Sequence, residues 1–179
     1  MKRIYLVRHC QASGQEASAP LTSEGERQAS KLAEFMVDKQ IEYIASSPYL
    51  RAIHSVKPLS ELLGLEIQID DRLRERVLST EVLDDWMERY EETFIDYSLK
   101  FQGGESSAEA AARGLAVLEE LYSRPEQTFL TVTHGELLSL INKHYNSEFG
   151  FEDWKRLTHP DIYELQIDEG ETVIRRIWK

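Results

Sequence analysis

A short apolar run near the start of the chain, Ile4 to Val7, ends directly in Arg8 and His9. A β-prone run of this length between polar residues is typical of a buried central strand. Such a strand places a guanidinium group and an imidazole at the carboxyl edge of a sheet, where open α/β sheets bind their ligands. The pair indicates an anion site with a possible nucleophile or base, although taken alone it also fits a solvated strand end.

Two later β-prone runs repeat this arrangement. Residues 128–133 lead into His134, and residues 42–46 lead into a helix that carries Arg51 in its first turn. Because the carboxyl ends of parallel strands meet at one edge of a sheet, we expect His134 and Arg51 to lie beside His9. Arg51 also lies near the positive end of its helix, which favours an anion there.

A carboxylate joins this predicted cluster. The strand-like run at residues 65–69 leads to Leu73-Arg74-Glu75, which brings Glu75 to the same rim. Two guanidinium groups and a helix N-terminus can hold a phosphoryl group, an imidazole can attack phosphorus, and a carboxyl group can transfer the proton. The sequence therefore predicts a phosphoryl-transfer site made of Arg8, His9, Arg51, Glu75 and His134.

Three of the predicted helices have features that can be read from the sequence. Ser23 followed by Glu26 has the pattern of a capping box, and Ser106 followed by Glu109 has the same pattern. A third helix contains Pro58, which is expected to kink it or divide it in two.

Strands and helices alternate until the end of the chain. There, residues 162–167 and 172–178 are typical of a hairpin or of two adjacent edge strands. This order predicts the α/β class, with a three-layer α/β/α sandwich around a mostly parallel central sheet. The length of 179 residues favours a single domain, 1–179.

Residues 70–104 differ in character from the rest of the chain. They are acidic on balance and carry an aromatic residue at about every fourth position, which is typical of a helix that packs an aromatic stripe onto the body. We interpret the segment as a lid-like insertion that ends in a hinge at Gly103 and Gly104. Its aromatic residues are Trp86, Tyr90, Phe94, Tyr97 and Phe101.

Charge and cysteine content limit the possible partners and the compartment. The net charge of −11 argues against nucleic acid or an anionic membrane as a partner. Cys10 is the only cysteine, so no internal disulfide can form and a reducing compartment fits. Too few apolar residues follow Lys2 and Arg3 for a signal peptide, and no stretch approaches the ~20 apolar residues of a membrane span. A cytoplasmic location is expected.

Six short motifs lie at the predicted strand ends and helix starts. They are Leu-Val-Arg-His at 6–9, Leu-Thr-Ser-Glu-Gly-Glu-Arg-Gln-Ala at 21–29, Ser-Ser-Pro-Tyr-Leu-Arg-Ala at 46–52, Leu-Arg-Glu at 73–75, Gly-Glu-Ser at 104–106 and Thr-His-Gly at 133–135. In this order and spacing, the motifs together resemble the histidine phosphatase superfamily. The resemblance implies the phosphoglycerate-mutase-like fold.

The resemblance also implies a role for each residue of the cluster. His9 would be the phosphorylated nucleophile, and Arg8, Arg51 and His134 would form the phosphate pocket. Glu75 would protonate the leaving oxygen and then activate water. The implied activity is that of a metal-independent phosphomonoesterase without a cofactor, acting on a small phosphorylated metabolite. Sugar phosphates, phosphoglycerates, nucleoside monophosphates and phosphoprotein side chains all remain candidate substrates.

Three features depart from the usual pattern of the family. Cys10 follows the nucleophile where glycine or alanine is usual, and we interpret it as a small packing residue rather than a redox group. Gln15 stands where mutase-like members often carry an asparagine that touches phosphate, so either Gln15 or Ser13 is expected to contact phosphate. The loop at 11–20 is short, which favours a phosphatase and leaves phosphoglycerate mutase-type transfer as the alternative.

Other classes of function fit the sequence less well. A cysteine phosphatase needs an arginine six residues after its cysteine, where this chain has Glu16, and neither a G-x-G-x-x-G motif nor a Walker loop is present. A non-catalytic phosphate-binding module remains an alternative, but retention of all five charged site residues argues against it. Glu105 is a second candidate proton donor. His54 and His159 fit either the pocket rim or ordinary surface positions, and His144 fits a helix end.

Overall fold

Six strands form one sheet in the computed structural model, which describes residues 1–179. They are β1 (Lys2–Arg8), β2 (Tyr43–Ser46), β3 (Ile67–Ile69), β4 (Thr128–Thr133), β5 (Asp161–Asp168) and β6 (Glu171–Arg176). The order across the sheet is β3-β2-β4-β1-β5-β6. The first four strands in this order pair in parallel, whereas β5 and β6 pair antiparallel. The predicted, mostly parallel sheet is therefore confirmed, and the last two strands form a hairpin.

Helices cover both faces of this sheet. They are α1 (Ser23–Met36), α2 (Leu50–Leu63), α3 (Trp86–Ile95), α4 (Ser107–Ser123), α5 (Gly135–Tyr145) and α6 (Phe151–Lys155), and short 3₁₀ helices lie at Val37–Lys39 and Asp71–Leu73. Successive side chains of a strand point to opposite faces. Tyr5 and Val7 of β1 accordingly pack with α1 and α2, and Ile4 and Leu6 pack with α4 and α5. The three-layer α/β/α sandwich is confirmed. No helix combines the length and the apolar character that crossing a membrane would take.

The start of α1 differs from the prediction by one residue. Thr22 is the N-cap, and its hydroxyl oxygen accepts the backbone N–H of Gly25 at 3.0 Å. The predicted capping box of Ser23 with Glu26 is therefore wrong. The reason lies outside the helix. The Thr22 hydroxyl donates to the side chain of Gln11 at 2.8 Å, and Gly25 lies directly against the Gln11 backbone, so contacts with the preceding loop set the helix start.

The other two helix features have different outcomes. The capping box of α4 is confirmed, since Glu109 N–H donates to Ser106 Oγ at 3.1 Å and Ser106 N–H donates to the Glu109 carboxylate at 2.9 Å. Pro58 lies inside α2, which continues past it, so the helix is not divided. Val56 and Leu59 are buried in the core on either side of the proline, and this packing offsets the missing backbone hydrogen bond.

The segment at 70–104 contacts the body through α3, through Arg76 and at its start, where the carbonyl oxygen of Leu73 accepts the hydroxyl group of Thr133 at 2.7 Å. Only α3 is helical within the aromatic stripe, and its Tyr90 is fully buried against Phe151 and Trp154 of α6. Arg76 donates to Thr93 Oγ1 of α3 and to Ser107 Oγ of α4, both at 3.1 Å. The start of the segment therefore lies at the carboxyl end of β4, beside the predicted site, and α3 packs on α6. Its function as a lid, and the assignment of the chain to one domain, stay predictions.

Candidate active site

His9 lies at the carboxyl end of β1 with 7% of its surface exposed. Its Nδ1 is 2.7 Å from the carbonyl oxygen of Cys10. Because a carbonyl oxygen only accepts, Nδ1 carries the proton and Nε2 carries the lone pair. Burial and the nearby charge of Arg51 lower the pKa of His9 to about 3, although the bond to the Cys10 carbonyl works against them. The ring is therefore neutral at physiological pH, with a nucleophilic Nε2.

Arg51, in the first turn of α2, lies directly against this nitrogen. Its Nε donates to His9 Nε2 at 3.2 Å, and its terminal nitrogen donates to the carbonyl oxygens of Gln15 and Glu16 at 3.1 and 2.9 Å. The side chain is only 1% exposed. These bonds hold the guanidinium group between the loop at 11–20 and the candidate nucleophile.

His134 follows β4 in the same way as His9 follows β1. Arg8 pairs with Thr133 at the ends of the two parallel strands, so the next residue of each strand reaches the same place. The centroids of the two imidazole rings are 5.0 Å apart. His134 Nε2 is 2.7 Å from Ser47 Oγ, and its buried Nδ1 has no hydrogen-bond partner. Burial lowers the pKa of His134 well below its usual range, so this ring is neutral as well.

Arg8 is the last residue of β1, and its side chain lies between the start of α5 and the segment that precedes β5. One terminal nitrogen of its guanidinium group donates to the carbonyl oxygen of Leu157 at 3.1 Å, and its buried Nε has no partner. Gly135 lies close to this group. A Cβ atom at position 135 would come within 3.1 Å of Arg8 Nε, so a larger residue would displace the guanidinium group. The Thr-His-Gly motif therefore includes a glycine because the arginine occupies the space of a side chain.

Glu75 closes the site at the start of α5. Its carboxylate accepts the backbone N–H groups of Glu136 and Leu137, each at 3.0 Å, and that of Arg76 at 2.8 Å. Burial raises the pKa of Glu75, although these N–H groups and the charge of Arg8 act in the opposite direction. A carboxyl group with a raised pKa can hold a proton for a leaving group near neutral pH.

The structure thus places all five residues of the predicted cluster at one edge of the sheet. Ser13 and Gln15 lie in the adjoining loop with exposed side chains, and only the backbone carbonyl of Gln15 contacts the cluster, through Arg51. Contact of either side chain with phosphate stays a prediction. Cys10 is fully buried, and burial raises the pKa of its thiol to about 11, so the thiol keeps its proton.

Three further residues lie beside the imidazoles. The sequence indicated no role for two of them and left the position of the third open. Ser47 and Tyr49 both contact His134, and the Tyr49 ring also lies 5.0 Å from the guanidinium carbon of Arg51. His159 occupies the rim position, with its ring 5.1 Å from that of His9. The Ser-Ser-Pro-Tyr motif, which lies just before Arg51 in the sequence, could have indicated Ser47 and Tyr49 as site residues. His159 precedes an antiparallel strand, whose start lies at the edge where the parallel strands end.

The remaining candidates lie elsewhere or have other partners. Glu105 forms two hydrogen bonds with Arg113, at 2.7 and 2.9 Å, and although burial raises its pKa, this pairing lowers the pKa overall. Glu105 is thus held as a carboxylate and is a poor proton donor. His54 borders a separate cavity of about 350 Å³ between α1 and α2, and His144 is exposed at the end of α5. No group of three or more His, Cys, Asp or Glu side chains is placed to hold a metal ion.

Similarity to known proteins identifies the class. Residues 4–178 match the family model of the histidine phosphatase superfamily, branch 1, and the chain belongs to this superfamily. Two Hydrogenobacter thermophilus proteins named as phosphoserine phosphatases are 32% and 29% identical, over 79% and 75% of this chain and 77% and 71% of their own lengths.

A relative of another name is equally similar. A probable phosphoglycerate mutase of Yersinia enterocolitica is 32% identical over 79% of this chain and 73% of its own length. Among solved structures, a mycobacterial glucosyl-3-phosphoglycerate phosphatase has a TM-score of 0.74 and 25% identity, and the match covers 92% of this chain and 89% of that one. The predicted superfamily, the phosphoglycerate-mutase-like fold and the assignment to the phosphatase class of enzymes are confirmed.

Proposed function

We propose that this protein hydrolyses phosphate monoesters, without a metal ion, through a phosphohistidine at His9. One observation carries the proposal. The lone pair of a neutral imidazole lies between an arginine and a second neutral imidazole, with a protonatable carboxyl group at the same rim. Phosphoryl transfer depends mainly on positioning and charge neutralisation, and this arrangement supplies both.

In the first step, the phosphoryl oxygens take the hydrogen-bond donors that surround His9. The Nε of Arg8 and the Nδ1 of His134 have no other partner. The Nε of Arg51 moves its hydrogen bond from His9 to a phosphoryl oxygen, which frees the lone pair. His9 Nε2 then attacks phosphorus, the ester P–O bond breaks, and the carboxyl group of Glu75 protonates the leaving oxygen.

In the second step, Glu75 is a carboxylate and removes a proton from a water molecule. This water attacks the phosphohistidine, the P–N bond breaks, and inorganic phosphate leaves. His9 recovers its neutral ring and Glu75 recovers its proton. The three backbone N–H groups around Glu75 keep the carboxyl group in one position through both steps.

Phosphoglycerate mutase-type transfer is the second candidate, because the Yersinia enterocolitica relative carries that name. Two features favour hydrolysis. The loop at 11–20 is short, and both Hydrogenobacter thermophilus relatives are named as phosphatases. A binding module without activity would keep the phosphate pocket but would leave an ester intact.

A labelling experiment tests the proposal. Purified protein is mixed with a phosphate ester labelled with ³²P and then quenched in base, where phosphohistidine survives. We expect label on His9 and release of inorganic phosphate. The His9→Ala variant should take up no label, whereas the His54→Ala variant, altered at the separate cavity, should label normally. Conversion of 3-phosphoglycerate to 2-phosphoglycerate would indicate a mutase, and an unchanged bound ester would indicate a binding module.

A further inference from the structure

Two polar groups beside the proposed active site take no part in the steps above. Glu136 lies at the start of α5, and its backbone N–H donates to Glu75 at 3.0 Å, so it adjoins the proposed proton donor. One of its carboxyl oxygens, Oε2, is buried without a hydrogen-bond partner. Tyr90 of α3 is fully buried, and its hydroxyl group has no partner either. Both groups are therefore able to make a further hydrogen bond.

Glu136 adjoins Glu75 through this backbone hydrogen bond, and the charges of both carboxyl groups act on the Tyr90 hydroxyl. Burial is the main cause that raises the pKa of the Tyr90 hydroxyl, and the charges of Glu136 and Glu75 raise it further. Burial and the charge of Glu75 raise the pKa of Glu136 well above its usual range, and Arg76 is the one cation that acts against them. Its guanidinium nitrogens, however, donate to the oxygens of three other residues. Glu136 is thus without an ion-pair partner.

The position of Glu136 relates it to the organic part of a substrate. Glu75 protonates the leaving oxygen in the proposed reaction, so the group attached to that oxygen lies on the Glu75 side of the pocket. Glu136 adjoins Glu75 there, and the residue is partly exposed although its Oε2 is buried. Its carboxyl group therefore borders the space that the leaving group occupies.

Most cations in the surrounding segments already have carboxylate partners; the exception is Arg76, which is buried and donates only to backbone carbonyl and hydroxyl oxygens. The pairs are Arg72 with Asp70 and Glu120, Arg74 with Asp71, Arg89 with Asp85, Lys100 with Glu109, Arg113 with Glu105 and Arg156 with Asp153. A second anionic group on the substrate would meet no free cation from these residues. It would also approach the unpaired carboxyl group of Glu136.

We propose that Glu136 forms a recognition site for the leaving group. This site selects phosphate esters that carry a protonated amine close to the ester oxygen over esters that carry a carboxylate there. The proposal rests on the hydrolysis proposed for His9. An ammonium group has three N–H donors and would give Glu136 both a hydrogen bond and a counter-charge. Because the pKa of Glu136 is raised, an ammonium group there favours its charged form, whereas a carboxylate in the same place opposes that form and gains no counter-charge.

Three phosphate esters of matched length test this selectivity on the unaltered protein. They are phosphoethanolamine, 2-hydroxyethyl phosphate and 2-phosphoglycolate, which end in an amine, a hydroxyl and a carboxylate. We expect kcat/KM to be about tenfold higher for the amine than for the hydroxyl ester, the size of effect that one modest charge pair produces. The carboxylate ester should be the poorest of the three. Equal values, or the reverse order, would overturn the proposal.

A pair of variants assigns the preference to Glu136. Glu136→Gln should reduce the ratio of kcat/KM between the amine and hydroxyl esters by about tenfold, because it removes the charge and keeps the shape. Glu91→Gln removes an equal charge from the exposed side of α3 and should leave the ratio unchanged. An unchanged ratio in Glu136→Gln would overturn the assignment. If this variant does not fold, the ester series on the unaltered protein decides.

The same assays separate the two proposals. Absence of phosphohistidine with all three esters would contradict the function proposed for His9. Phosphohistidine formed at equal rates from all three would contradict only the amine selectivity.

Discussion

The two imidazoles of the site use opposite ring nitrogens for their fixed hydrogen bonds. His9 donates through Nδ1 to the Cys10 carbonyl, whereas His134 is held through Nε2 by Ser47. Ser47 Oγ already accepts the backbone N–H of Tyr49 at 3.2 Å, so the hydroxyl proton is available for His134 Nε2. His134 Nδ1 then carries its proton toward the pocket. One ring is thereby suited to attack phosphorus and the other to donate to a phosphoryl oxygen.

The Ser47→Ala variant tests this use of the ring nitrogens. The variant loses one buried hydrogen bond worth about 1–2 kcal/mol, so neither the tautomer nor the orientation of His134 is fixed any longer. We therefore expect kcat/KM to fall about tenfold. Ser47→Thr, which keeps the hydroxyl group, should recover part of the loss. Ser139→Ala is the matched control, because Ser139 is equally buried but bonds only to the Gly135 carbonyl within α5. Equal loss of activity in Ser47→Ala and Ser139→Ala would contradict the role given to Ser47.

The pH dependence of turnover tests the acid role of Glu75. The first step needs its protonated form, and burial raises its pKa, so kcat/KM should decline as the pH rises through that raised pKa. The side chain of Glu75→Gln cannot donate a proton. The kcat/KM of this variant should therefore be about 10²–10⁴-fold lower and should no longer decline with rising pH. The loss should be smaller for p-nitrophenyl phosphate, whose leaving group needs no proton. Glu105→Gln should retain the decline with pH. If the decline were absent in Glu105→Gln, the acid role would belong to Glu105.

Individual elements differ in how far the sequence could predict them. The ends of β1 and β4 were predictable, because each is a short apolar run that stops at a histidine and parallel pairing aligns the two ends. The cap of α1 was not, because the contacts that select Thr22 come from Gln11, which only the folded loop brings near. His159 was not assigned for a related reason. It precedes β5, and antiparallel pairing with β1 was needed to place it at the site.

Two variants at the start of α1 test whether Thr22 or Ser23 is the N-cap. Thr22→Ala removes the side-chain oxygen that accepts the Gly25 N–H, and it should lower the free energy of unfolding by about 1 kcal/mol. Ser23→Ala changes the neighbouring residue, which is already helical, and should have little effect. Urea unfolding of the two variants measures both values. A larger loss in Ser23→Ala would show that the sequence-based capping box was correct after all.

For the molecule as a whole, the site lowers stability in acid. Burial is the main cause that lowers the pKa of His9, His134 and His159 in the folded protein. In the unfolded chain, histidine titrates near pH 6.5. Below about that pH the unfolded chain therefore binds protons that the folded protein does not, and the free energy of unfolding must fall. Above about pH 6.5 these histidines no longer change it.

The contribution of His9 can be isolated by comparison with a variant. Between about pH 6.5 and its folded pKa of about 3, His9 should lower the free energy of unfolding by about 1.4 kcal/mol per pH unit. His9→Asn should reduce the slope by this amount, as measured by urea unfolding across that range. Glu75 and Glu136 act with the opposite sign, because burial raises their pKa values, but they are present in both proteins. His144→Asn, at an exposed position, is the control and should leave the slope unchanged. If His9→Asn had the same slope as the unaltered protein, His9 would be protonated in the folded protein and could not act as the nucleophile.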